Sequence, residues 1–145
     1  MNILTNAIIN QENIKKIDSL ISDDNINLQD SDGMTPLHCL INICYINKID
    51  EFNFNKEFEL NGQNDEIIEL LLIRGANPNI PDKNGNTILH TIFKAIPYTH
   101  EMNIQNEHII DLLIKHGANI NLQNNSGNYK KVFFVSRKIN FFVNL

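Results

Sequence analysis

Apolar residues return at helical spacing in two well-matched stretches. Ile67-Ile68-Glu69-Leu70-Leu71-Leu72-Ile73-Arg74-Gly75-Ala76-Asn77 and Ile109-Ile110-Asp111-Leu112-Leu113-Ile114-Lys115-His116-Gly117-Ala118-Asn119 each place apolar side chains at i, i+3 and i+4, the stripe of a helix lying on a core. Each closes with a cation and then a glycine, which is a helix stop. Two shorter stripes open the chain, Ile3, Leu4, Ala7 and Ile8 followed by Ile14, Ile17, Leu20 and Ile21. Nowhere does an apolar run reach the roughly 18 residues that cross a bilayer, so no membrane span is expected.

Between the stripes a second pattern repeats. Asn27-Leu28-Gln29-Asp30-Ser31-Asp32-Gly33-Met34-Thr35-Pro36-Leu37-His38 matches Asn79-Ile80-Pro81-Asp82-Lys83-Asn84-Gly85-Asn86-Thr87-Ile88-Leu89-His90 position by position. A third copy starts at Asn121-Leu122-Gln123-Asn124-Asn125-Ser126-Gly127-Asn128 and then loses the Thr, Leu and His. Thr35 is a good N-cap, and Pro36 after it needs no amide donor, so a helix starts there. Thr87 repeats the cap without the proline. Gly33, Gly85 and Gly127 mark a tight connection that requires positive φ or close backbone approach, and Asp30, Asp82 and Asn124 can accept from backbone amides across it.

The order Thr-Pro-Leu-His, helix, second helix ending in Gly-Ala, then Asn and a glycine turn resembles the ankyrin repeat. The intervals between Gly33, Gly85 and Gly127 exceed the about 33 residues of such a unit. The excess falls between the paired helices, at roughly 45–65 and 97–106. The resemblance implies an all-α fold: a short solenoid of stacked helix-turn-helix repeats with hairpin fingers and expanded inter-helix loops. On this reading the chain divides into an N-terminal capping unit (1–29), two expanded repeats (30–81 and 82–123) and a degenerate or truncated final unit (124–145), all in one domain.

Composition agrees with a packed domain. The 145 residues are 42% hydrophobic and 20% charged, too apolar for a disordered chain. Asn and Ile together make up roughly a third of the chain, well above ordinary usage. Ile falls mostly on the helical stripes and many of the Asn at turns. The formal net charge of -5 disfavours nucleic acid, which needs a dense basic surface. The N-terminus has no basic and apolar leader, and Cys39 and Cys44 are spaced poorly for a disulfide on one helix, so a reduced, intracellular and cytoplasmic setting is expected.

His38, Cys39, Cys44 and His90 are ligand types, and a metal or redox site around His38, Cys39 and His90 is the alternative from another class. Their spacing lacks C-x2-C or H-x3-H pairs. No nucleophile elbow and no phosphate loop occurs. No enzyme and no cofactor is therefore expected.

What the resemblance implies for function is protein binding by a concave face built from turn tips and inner helices. The residues carried over are Ser31, Asp32 and Met34, then Lys83, Asn84 and Asn86, then Asn125, Ser126 and Asn128 at the tips. On the inner helices they are Asn42 and Ile43, then Lys94 and Ala95. An array truncated at Asn128 without retained activity is the remaining alternative. The resemblance also implies that Asn79 and Asn121, each eight residues after a leucine, are candidates for hydroxylation by an oxygen-sensing asparaginyl hydroxylase. The segment from Glu51 to Phe58, with alternating Phe and Asn, is expected to return its rings to the core.

Overall fold

The computed structural model describes residues 2–45, 62–95 and 104–127. Among them are six helices and no strand: α1 (Ile3–Ile9), α2 (Ile14–Leu20), α3 (Pro36–Tyr45), α4 (Gly62–Ile73), α5 (Ile88–Ala95) and α6 (Ile104–Lys115). They pair as α1 with α2 and α3 with α4, and the same alternation places α5 and α6. The pairs stack in two layers, an inner one α1–α3–α5 and an outer one α2–α4–α6. The fold is all-α, as the repeated pattern predicts.

The core runs between the two layers along the whole stack. Leu4, Ile8, Ile17, Leu37, Ile41, Ile68, Leu71, Ile88, Ile92, Ile109 and Leu113 are completely or almost completely buried and belong to one continuous cluster. A single helix pair cannot cover its own apolar stripes, so each pair depends on its neighbour. Burying one such Leu or Ile contributes roughly 1.5–3 kcal/mol. Both cysteines are buried, Cys44 within this cluster, and burial pushes the Cys39 thiol up to about 11, so Cys39 stays protonated and acts as an apolar filler.

Helix ends are set by the residues expected to set them. Pro36 and Ile88 open α3 and α5 directly after Thr35 and Thr87. After α4, Gly75 at φ 98° lets its own amide reach the Leu72 carbonyl and the Ala76 amide reach that of Leu71. After α6, Gly117 at φ 87° does the same for Ile114 and Leu113. Both are the left-handed glycine stop that returns orphan carbonyls to the backbone. In α1 and α2 the caps are Asn2 and Asn13, whose side chains accept from the amides of Thr5 and Lys16.

Two boundaries differ from expectation. α4 and α6 begin at Gly62 and Ile104, inside the stretches assigned to the expanded loops. The added turns, Gly62-Gln63-Asn64-Asp65 and Ile104-Gln105-Asn106, are mostly polar. They carry little apolar periodicity by which a helix could be read, while the helices themselves extend because backbone bonding continues toward their N-termini. The Glu51–Phe58 segment lies outside the described residues.

Candidate functional site

Three fingers project from one edge of the stack, at 27–35, 79–87 and 121–127. Each tip is a closed hydrogen-bonded turn. The Asp30 carboxylate accepts from the amides of Asp32 (2.8 Å) and Met34 (2.9 Å), and the Asp82 carboxylate accepts from Asn84 and Asn86, both at 2.8 Å. Asn124 accepts from Ser126 at 3.0 Å. The amides of Gly33, Gly85 and Gly127 donate back to residues 30, 82 and 124. These carboxylates are committed to the turn and are not free charges on the surface.

The fingers are tied side by side. The Lys83 amide donates to the Asp32 carbonyl and the Asn125 amide to the Asn84 carbonyl, each at 3.0 Å. The Gln29 side chain donates to Gly33 O in its own finger (2.7 Å) and to Pro81 O in the next (2.8 Å). This contact explains two glycines by space as well as by φ of 77°. A Cβ on Gly33 would stand 2.8 Å from Lys83 N, and one on Gly85 would stand 2.7 Å from Asn125 N. Gly127 has φ 68° but nothing near its Cβ position.

At the base of the fingers a second bridge repeats. The Asn27 amide group donates to Gly75 O (3.0 Å) while its oxygen accepts from Asn77 N (2.8 Å). Asn79 does the same with Gly117 O and Asn119 N, both at 2.7 Å. The hydroxylation candidate Asn79 is thus a clamp between units with both ends of its side chain occupied. Asn121 holds the same place in the third finger, its own amide donating to Asn119 at 2.9 Å.

The histidines of the repeated motif connect helix to finger. The Thr35 amide donates to His38 Nδ1 at 3.3 Å and the Thr35 hydroxyl lies 2.9 Å from the same nitrogen. Nδ1 is therefore an acceptor, and the ring proton sits on Nε2, 3.4 Å from the Asn86 carbonyl in the next finger. Burial holds His38 below its ordinary value of 6.5, opposed by the bond to Asn86 and the charges of Asp82 and Asp30. Thr87 and His90 repeat the local half of this arrangement, at 3.1 and 2.9 Å. Among the described residues no group of three or more His, Cys, Asp or Glu stands where it could hold a metal ion. Both ring nitrogens of His38 are engaged by protein atoms.

These contacts divide the residues expected to bind a partner. Ser31, Asp32, Lys83, Asn84 and Lys94 are exposed. Ser126 is exposed too. Asn42 and Ile43 are half-buried on α3, with the Asn42 amide 3.1 Å from the Met34 sulfur. Asn86 instead turns inward: its amide donates to the Asp82 carboxylate (3.2 Å) and its oxygen accepts from Asn124 (2.9 Å). Asn125 is spent similarly, donating to the Lys83 carbonyl at 3.0 Å. Ala95 is the last residue of α5, and Asn128 lies outside the described residues. Asn27 and Gln29 were not among the expected site residues. For Asn27 the signal is the constant spacing of the Asn six residues before each glycine, which marks clamps and not contacts for a ligand, whereas Gln29, with Pro81 as its counterpart in the second finger, carries no such signal.

The family model of the ankyrin repeat matches residues 60–83 and 84–125. These are ankyrin repeats. No curated protein and no solved structure matches the chain. The match spans α4, the second finger, α5, α6 and the start of the third finger. Ankyrin repeats are in general protein–protein interaction modules, and the family is generally non-enzymatic. No helix among the described residues is long and apolar enough to cross a membrane.

Proposed function

We propose that this chain binds another protein through the face formed by its finger tips and inner helices, without catalysis. The observation that carries the reading is the division just described. The inward side chains of each finger are consumed by the neighbouring finger, so the tips are held in fixed register, while Ser31, Asp32, Lys83, Asn84 and Lys94 remain exposed on them and on α5. A rigid, polar row of this kind suits hydrogen bonding to a partner and limits the ordering cost of binding. Asp32 stands on the first finger and Lys83 and Lys94 on the second finger and on α5, which gives the face a charge order that a partner can match.

Affinity capture with the full chain tests this, comparing wild type with Lys83→Glu and Lys94→Glu. Loss of a captured protein with an unchanged melting temperature is expected. A captured protein retained by both variants and by Ser31→Arg would contradict this choice of face.

A further inference from the structure

We propose that Asn84, at the tip of the second finger, is a site of self-modification: the backbone nitrogen of Gly85 displaces its side-chain amide, and the ring so formed opens with water to aspartate or isoaspartate. Among the described asparagines, Asn84 alone combines an exposed side chain outside any hydrogen bond with a glycine as the next residue. Asn79, Asn86 and Asn125 spend their side chains on a neighbouring unit, and Asn121, equally exposed, precedes Leu122. With no Cβ on Gly85, nothing hinders its nitrogen on the way to the Asn84 Cγ. That nitrogen gives up its proton and bonds to Cγ, ammonia leaves, and the cyclic imide takes up one water. Nothing is oxidised or reduced. In the closed turn the Gly85 amide donates to the Asp82 carbonyl at 2.9 Å. Attack therefore follows local opening of the tip, which exposed loops undergo at low free-energy cost.

The first finger shows that the aspartate product fits. Asp32 holds there the place of Asn84 and precedes Gly33. Its amide donates to the Asp30 carboxylate and its carbonyl accepts from Lys83, just as the Asn84 amide donates to Asp82 and the Asn84 carbonyl accepts from Asn125. Aspartate at position 84 keeps the turn and the tie between fingers, and sets one more negative charge on the exposed tip beside Lys83. The isoaspartate product does not fit. Its chain runs through the former side chain and is one carbon longer, and the carbonyl that accepted from Asn125 becomes part of a carboxylate off the backbone. The turn has no slack to absorb this, since a Cβ on Gly85 would already stand 2.7 Å from Asn125 N. The tie from the second finger to the third is lost. The tie to the first, from Lys83 N to Asp32 O, lies before the lengthened link.

Incubation of the folded full chain at mildly alkaline pH, with peptide mapping by mass at intervals, tests the proposal without any partner. Fragment masses separate Asn84 from Asn86, and the map separates it from Asn61, the other asparagine before a glycine. Position 84 should gain the mass of OH in place of NH2, and part of the product should accept a methyl group from a protein isoaspartyl methyltransferase. Asn121 and Asn125 should stay unchanged. Asn84→Gln, whose longer side chain closes a ring poorly, should lose the change at this position. In hydrogen exchange, the isoaspartate fraction should lose protection at the Asn125 amide and keep it at Lys83, whereas Asn84→Asp should keep both with an unchanged melting temperature. Conversion of Asn84 only in denaturant, or no faster than that of Asn121 and Asn125, would overturn the proposal. An isoaspartate fraction that still protects the Asn125 amide would overturn its structural half.

Discussion

The first inner helix and the second solve the same problem differently. In α3, Thr35 caps the helix and His38, one turn on, carries a hydrogen bond from that cap to the Asn86 carbonyl of the next finger. In α1 the corresponding places hold Asn2 and Thr5. Asn2 caps well, accepting from the Thr5 amide at 2.7 Å, but Thr5 is too short to span to the first finger, and a shallow cleft bounded by Asn2, Leu28, Gln29 and Asp30 lies beside it where the imidazole would be. Capping and coupling are therefore separable. A short polar side chain suffices for the helix, while the histidine ties units together. The N-terminal pair lacks the histidine tie and is joined to the array by apolar packing, the Asp18–Arg74 ion pair and the Gln63 side chain on the Glu12 carbonyl, while α3 adds the histidine.

The largest effect should come from charging the packing that both regions share. Leu71→Asp places an unpaired carboxylate in a fully buried position, at a cost of about 4 kcal/mol or more. With so few units to lose, the cooperative thermal transition should vanish, whereas Ile3→Asp, at the open edge, should melt nearly as wild type. Calorimetry of the pair checks both outcomes.

The ladder is broken next. Gly85→Ala combines strain from positive φ with a Cβ 2.7 Å from Asn125 N, and about 2–3 kcal/mol of destabilisation is expected. Gly127→Ala has strain without the collision and should cost about 1 kcal/mol. Chemical denaturation that ranked the two equally would remove the finger-to-finger contact as the cause.

The histidine provides a pH signature. His38 has a folded-state value below 6.5 because its neutral ring is buried, and protonation would put a second donor against the Thr35 amide. The unfolded chain takes its proton first as pH falls, so the contribution of His38 is complete above about pH 6.5 and is lost as pH drops through and below it. His38→Gln should flatten that part of the profile and lower stability at pH 7.5 by about 1–3 kcal/mol. Denaturant midpoints measured from pH 7.5 to 5 decide this.

The smallest effect is a gain. Thr5→His should let an imidazole fill the cleft and reach the first finger as His38 reaches the second, raising stability by about 0.5–1 kcal/mol. A variant less stable than wild type would show that the cleft is needed as it stands.

The punctuation of this fold was legible in the sequence. Thr35-Pro36, Thr87, Gly75 and Gly117 bound their helices because each meets a local backbone requirement that a residue type alone can satisfy. The early starts of α4 and α6 were not legible, since Gln63, Asn64 and Asp65 carry no apolar period. The fingers were half legible. Spacing placed Asn86 and Asn125 at the tips, but an asparagine amide both donates and accepts, and spacing does not say whether its partner is the next finger or another molecule. The structure assigns Asn86 to the finger that follows it and Asn125 to the finger that precedes it, and leaves Lys83 and Asn84 outward.

Native-state hydrogen exchange of the finger amides tests the central claim, that the fingers form one hydrogen-bonded ladder between coupled units. Lys83 and Asn125 are exposed residues whose amides are bonded across the fingers, while Ser31 holds the same place in the first finger without a preceding one. Lys83 and Asn125 amides should exchange slowly, approaching the buried helices, and the Ser31 amide in dilute protein should exchange fast. Equal, fast exchange at all three would contradict the ladder.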